Sequence, residues 1–104
     1  MLKEHLQRGS RICFLCGRWE SPYNPIEIHH IFRGPNRKKS TKYGLVVPLC
    51  HSCHNEPPDG VHYNKKVMQQ LHEYGQRKAM MENGWSVEDF IREFGKSYID
   101  LEET

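Results

Sequence analysis

Two matched pairs of cysteines constrain this chain more than any other feature. Cys13 and Cys16 are separated by two residues, and so are Cys50 and Cys53. A Cys-x-x-Cys turn directs both sulfurs at about one point, and two such turns complete a tetrahedral four-thiolate site for Zn²⁺. Two disulfides or free core thiols are the alternatives, but neither accounts for the matched spacing. The residues between the pairs, 17–49, leave room for a strand, a loop and a second strand.

The composition explains why a metal would be needed. The chain has 104 residues, of which 37% are hydrophobic and 27% are charged. A single domain of this size, residues 1–104, buries a limited core and usually gains stability from a metal or from disulfides. The N-terminus lacks the apolar segment of a signal peptide, and no stretch approaches the ~20 apolar residues of a membrane span. We therefore expect a reducing, cytoplasmic location and no membrane partner.

Positive charge is concentrated in the middle of the sequence. No acidic residue occurs between Ile28 and Asn55, whereas the C-terminal part is mostly acidic. Clustered cations in such a segment are typical of contact with a nucleic-acid backbone, and a solvated loop is the alternative. The candidate phosphate-binding residues are Arg33, Arg37, Lys38, Lys39 and Lys42.

Alternating polar and β-branched residues predict two strands. Residues 26–31 alternate apolar and polar side chains, which favours a half-buried strand. Residues 43–49 form a second apolar segment, and Pro48 favours an edge position for it. Residues 50–55 follow directly and are predicted to begin a short helix.

Helical periodicity dominates the C-terminal half. A helix is predicted over about residues 62–81, with one apolar face, although Gly75 weakens that prediction. Ser86 and Asp89 are spaced as a capping box for a last helix. A short helix over residues 1–9 is also predicted. The two predicted strands and the predicted helices together give the fold class α+β. The predicted apolar faces consist of Val67, Leu71, Tyr74 and Met81 in the long helix, and of Val87, Phe90, Ile91 and Phe94 in the last one.

Histidines gather around the second cysteine pair. His29 and His30 lie on the first predicted strand, His51 and His54 flank Cys53, and His62 follows. Successive strand residues point to opposite faces, so His29 and His30 are expected to do different work. Hydrolysis of a phosphodiester needs a general base and a Lewis acid, and a neutral imidazole can serve as base or as metal ligand.

Two motifs flank the basic segment: Ile26-Glu27-Ile28-His29-His30-Ile31 and Leu49-Cys50-His51-Ser52-Cys53-His54. Together they resemble the four-cysteine HNH endonucleases of the ββα-metal, or His-Me finger, superfamily. Residues 43–50 with Gly60-Val61-His62 are similar to small HNH proteins of phages and prophages and to recombination-enhancement nucleases. The resemblance covers roughly residues 11–62. It implies a zinc-stapled ββα-metal core over about residues 11–65, with additional helices over about residues 62–99.

The resemblance also implies a role for each histidine. His30 matches the general base, whereas His29, His54 and His62 match ligands of a catalytic divalent ion such as Mg²⁺, Mn²⁺ or Ni²⁺. That ion would be separate from the structural zinc. DNA is the implied substrate, in a bacterial or phage-infected cell, and a phage or recombination protein is the kind of partner that the resemblance suggests. One departure stands out, since Tyr43-Gly44-Leu45 occupies the neighbourhood where the family has its asparagine, and neither Asn36 nor Asn55 is placed to replace it.

Two other functions are compatible with these patterns. A degenerate HNH fold would bind nucleic acid without cutting it, and the missing asparagine favours this alternative. A zinc-stapled domain for protein interaction is the third, suggested by the acidic C-terminal helix. A second bound metal separates them, because only the nuclease requires one.

Overall fold

A two-stranded antiparallel sheet forms the centre of the fold. The computed structural model describes residues 11–99. Strand β1, Ile26–His30, pairs with strand β2, Val46–Cys50, and Ile28 lies opposite Pro48. Every residue of β2 is buried, whereas β1 is only partly covered. The expected α+β class is confirmed for this part of the chain.

Four α-helices surround the sheet in the described region. Helix α1 follows β1 in the basic segment, and α2 begins directly after β2. Single 3₁₀ turns precede α1 and the long helix α3. The helix predicted over residues 1–9 lies outside the described residues. The helices are α1, Arg37–Lys42; α2, His51–Asn55; α3, Lys65–Asn83; and α4, Val87–Phe94, and the turns are Gly34–Asn36 and Val61–Tyr63.

Two predicted boundaries were wrong for local reasons. The second strand begins at Val46 rather than at Tyr43, because Tyr43 and Gly44 close the C-terminal end of α1. The long helix begins at Lys65 rather than near His62, because the side chain of Asn64 accepts hydrogen bonds from the amides of the first turn. His62 therefore lies in a 3₁₀ turn ahead of the helix. The capping box at Ser86 is present as predicted.

The ring of Phe32 joins the C-terminal helices to the sheet. Phe32 follows β1, is 1% exposed, and lies 4.9 Å from Phe94 and 5.6 Å from Phe90 between ring centroids. Phe90 and Phe94 are buried, as their spacing predicts, whereas Ile91 is 39% exposed. No helix within residues 11–99 has both the length and the apolarity needed to cross a membrane.

Residues spaced four apart form the buried face of α3. Leu71, Gly75 and Ala79 are buried along one line of the helix. Met81 was predicted on this face but is 80% exposed, because two further residues carry it to the other side of a helix with 3.6 residues per turn.

Replacing Gly75 with alanine is expected to destabilise the fold. A Cβ at Gly75 would lie 2.8 Å from Cγ2 of Ile31 and 3.0 Å from the ring of Phe32, both fully buried. Overpacking of this kind costs about 1–3 kcal/mol, and the helix preference for alanine offsets only about 1 kcal/mol. A denaturant titration should therefore show lower stability. The exposed Gln70→Ala on the same helix is the control, and a Gly75→Ala variant as stable as the wild type would contradict the prediction.

Candidate metal and phosphate-binding site

Four thiols meet where the first cysteine turn contacts β2. The amide of Phe14 donates to the carbonyl of Pro48 at 2.8 Å, which brings Cys13 and Cys16 beside Cys50. Sγ of Cys16 lies 3.7 Å from Sγ of Cys50, and all four sulfurs, with Cys53, lie within 4.8 Å of one another. All are free thiols, so the two-disulfide alternative does not apply to the structure. The cysteines are thus close enough to share one metal ion.

The thiols of Cys13 and Cys53 are shifted in opposite directions in pKa. Burial would raise the pKa of Cys13, but backbone hydrogen bonds, from Cys16 first, outweigh it and lower that pKa to about 7. Burial raises the pKa of Cys53, and hydrogen bonding with Cys50 raises it further. A cation among the sulfurs would favour all four thiolates, which is the chemistry of a structural metal site.

Three histidines from separate elements form a second cluster. His29 lies on β1, His54 on α2 and His62 in the 3₁₀ turn. Nδ1 of His29 is 3.3 Å from Nε2 of His54, which is 3.0 Å from Nε2 of His62. Each ring offers one nitrogen within 4.8 Å of the others. The structure therefore gathers the three histidines that the family resemblance implies as metal ligands.

Burial keeps two members of this cluster, His29 and His62, uncharged. His29 is 1% exposed, and its Nε2 has no hydrogen-bond partner. Burial, followed by the neighbouring His54 and His62, lowers the pKa of His29 to about 3. Burial and His54 also lower the pKa of His62. Neutral imidazoles with converging nitrogens fit a divalent transition metal, because the neutral ring is the ligand form.

Glu27 is a member of the site that the sequence interpretation missed. Its Oε1 accepts from Nδ1 of His54 at 2.7 Å, and its Oε2 accepts from Nδ1 of His51 at 2.9 Å. Burial alone would raise the pKa of Glu27, but hydrogen bonds from His54, His51 and Asn55 lower it. The available signal was strand alternation, because Glu27 and His29 are two residues apart and share a face of β1.

Arg33 contacts the cluster from the other side. Its Nη1 lies 2.8 Å from Nδ1 of His62. A guanidinium can only donate, so Nδ1 of His62 is the acceptor in this contact. Arg33 thus places a fixed positive charge at the edge of the histidine cluster.

One open cavity of about 470 Å³ unites much of the predicted site. Its polar lining consists of His29, His30, Arg33, Arg37, His54 and His62. Ile28 and Gly34 complete the wall. Two of the five predicted phosphate-binding residues therefore face the same space as the histidines.

The three lysines of the basic segment do not line this cavity. The ammonium of Lys39 donates to the carbonyl of Glu93 on α4. The ammonium of Lys42 lies 5.2 Å from the ring centroid of Tyr43, and Lys38 is exposed on α1. Because none of these lysines lines the cavity, its positive charge comes from Arg33 and Arg37.

His30 is placed apart from the histidine cluster. It is partly exposed at the end of β1 and lines the cavity together with Ile28. Burial, followed by the charge of Arg37, lowers the pKa of His30. The ring is therefore neutral at neutral pH and can accept a proton.

Ser40 braces the loop that follows His30. Its buried hydroxyl accepts from the amide of Phe32 at 3.1 Å and donates to the carbonyl of Leu45 at 2.6 Å. The two asparagines near this region do not brace the loop. Asn36 donates to the carbonyl of Phe94, and Asn55 donates to Glu27. A serine in a basic helix gives no sequence signal for such a brace.

Comparison with known proteins gives this site no relative. No protein-family model, no curated protein and no solved structure matches the chain.

Proposed function

We propose that this protein is a metal-dependent endonuclease of the HNH type, which hydrolyses phosphodiester bonds in DNA. The observation that carries the proposal is one cavity shared by three converging imidazoles, a separate neutral histidine and two arginines. Phosphodiester hydrolysis calls for this combination of a metal site, a general base and phosphate-binding cations. The site residues are His29, His54 and His62 as metal ligands, His30 as base, and Arg33 and Arg37 as phosphate contacts.

The proposed nuclease core consists of β1, β2 and α2. The four cysteines would hold zinc and so clamp α2 against the end of β2. This fixes His54 relative to His29, since Cys53 and His54 are adjacent in α2. Reduced thiols suit the cytoplasm of a bacterial or phage-infected cell. Ser40 would brace the loop that follows His30, the base in this proposal.

His30 acts on the attacking water in this proposal. The neutral ring takes a proton from water, the water oxygen bonds to phosphorus, and the bond from phosphorus to the 3′-oxygen breaks. The departing oxygen is protonated from solvent, which leaves 5′-phosphate and 3′-hydroxyl ends. Arg33 and Arg37 bind the phosphate that enters the cavity. A divalent ion held by His29, His54 and His62, when bound, supplies Lewis-acid stabilisation of the phosphate and the leaving oxygen.

A supercoiled-plasmid assay with Mg²⁺, Mn²⁺ or Ni²⁺ tests the proposal. The wild type is expected to nick the plasmid, and His62→Ala is expected to lose activity by about 10²-fold or more, because a metal ligand worth several kcal/mol is removed. His72→Gln is the matched control, since His72 packs against Phe32 outside the cavity.

The same assay can overturn the proposal. Plasmid that is bound but never cut, with any of the three metals, would favour the catalytically degenerate binding module. Equal cleavage by the wild type and His62→Ala would remove the histidine cluster from the reaction.

A further inference from the structure

We infer that Glu27 is a positioning residue for the proposed metal site, because its carboxylate fixes which nitrogen of His54 faces the histidine cluster. The inference rests on the proposed function, in which His54 is a metal ligand. It adds to that function a residue that touches neither the substrate nor the cluster's converging nitrogens.

The carboxylate of Glu27 accepts hydrogen bonds from three side chains of helix α2. His51 and His54 donate to different oxygens at 2.9 and 2.7 Å, and Nδ2 of Asn55 donates to Oε1 at 3.0 Å. One side chain of β1 thus holds three side chains of a five-residue helix. Such a short helix has little stability of its own, so these bonds help to set its orientation against the strand.

The bond to His54 determines the tautomer of that ring. An ionised carboxylate can only accept, so Nδ1 of His54 carries the proton. A neutral imidazole has one ring proton, so Nε2 presents its lone pair. That nitrogen lies 3.3 Å from Nδ1 of His29 and 3.0 Å from Nε2 of His62, where the three rings converge. Without an acceptor at Nδ1, the proton could occupy either nitrogen.

Glu27 has no substitute nearby. Within residues 11–99, no other carboxylate forms an ion pair or hydrogen bond with His29, His54 or His62. Glu56 contacts only the far side of His51, at 3.6 Å from its Nε2. The side chain of His54 is 13% exposed, so water competes poorly for its Nδ1. Carboxylates that orient a ligand histidine in this way typically contribute 10–100-fold in metal affinity.

Binding of Ni²⁺ to the full chain, with zinc on the four cysteines, measures this effect. Glu27→Met removes the acceptor with little change in length, and a 10–100-fold loss in Ni²⁺ affinity is expected by calorimetry. Glu27→Gln keeps an oxygen that can accept from His54 but loses the charge, so a smaller loss is expected. His51→Ala is the control, because it removes another hydrogen-bond donor to the same carboxylate and leaves the bond to His54 intact. The Ni²⁺ affinity of this variant should stay within about threefold of the wild-type value.

The tautomer of His54 gives an independent readout in the protein without Ni²⁺. Two-bond ¹H–¹⁵N NMR correlations should place the proton on Nδ1 in the wild type and in His51→Ala, and this signature should be lost in Glu27→Met. A signature that persists in Glu27→Met, or unchanged Ni²⁺ affinity, would overturn the inference. A wild type that binds no Ni²⁺ would instead contradict the proposed function, and the tautomer measurement would still decide the role of Glu27.

Discussion

Cys16→Ser is expected to abolish zinc binding and unfold the domain at neutral pH. The thiol of Cys16 lies in an exposed turn, so the substitution removes a proposed metal ligand while costing almost no core packing. Structural zinc in small domains contributes roughly 10–16 kcal/mol of apparent free energy, comparable with or larger than the ~5–15 kcal/mol by which a native domain is stable. Circular dichroism and elemental analysis of zinc would record the loss of both structure and metal.

A matched control separates the metal from the turn. Arg18→Ser places the same new side chain at an exposed position of the same turn. It leaves all four thiols in place, so one zinc per chain and a nearly unchanged melting temperature are expected. Chelation of the wild type should reproduce the Cys16→Ser phenotype. A Cys16→Ser variant that stays folded with one bound zinc would remove the four-cysteine site from its structural role.

The sequence identified the parts of the site that have a repeating signal. The cysteine spacing predicted the cluster of four thiols, and strand alternation separated the buried His29 from the more accessible His30. Strand pairing then follows from the chain path, since the residues between the cysteine pairs hold two strands joined through α1. These predictions depend on local periodicity, which a single sequence carries.

Other parts of the site depend on contacts between distant residues. Glu27 meets His54 only because β2 returns antiparallel to β1 and α2 turns back across the end of the sheet. His62 lies in a 3₁₀ turn ahead of α3 because the side chain of Asn64 caps the start of that helix, and periodicity does not reveal this cap. Ser40 gains its role through two backbone partners on either side of the loop. Side chains of this kind are defined by tertiary geometry, so spacing alone could not identify them.

The two proposed metal sites share one short segment of the chain. Cys50, Cys53 and His54 belong to a single stretch in which α2 follows β2 directly. A zinc ion on the thiols would therefore set the position of His54, and Glu27 would set its rotation and tautomer. The proposed general base is independent of this stretch, because His30 is carried by the end of β1 and kept neutral by burial and Arg37. The proposed base and the proposed metal site can thus be removed separately.

His30→Ala is expected to reduce plasmid cleavage by about 10²–10⁴-fold, the usual contribution of a general base. The backbone pairing of His30 with Val46 does not need the imidazole, so the fold should be retained. Ni²⁺ binding should also be retained, because His30 is not one of the three clustered histidines. Cleavage rates, circular dichroism and calorimetry on one preparation would test these three expectations together.

The space left by His30→Ala offers a sharper test of its role. Free imidazole should restore part of the activity by accepting the proton from water in place of the missing ring. Thr41→Ala is the matched control, since Thr41 lines a second, neighbouring pocket together with His30 and Ile28 but carries no base. It should cleave at close to the wild-type rate and gain nothing from imidazole. Cleavage by His30→Ala at the wild-type rate, with its Ni²⁺ affinity unchanged, would show that the proton is taken by another group and not by His30.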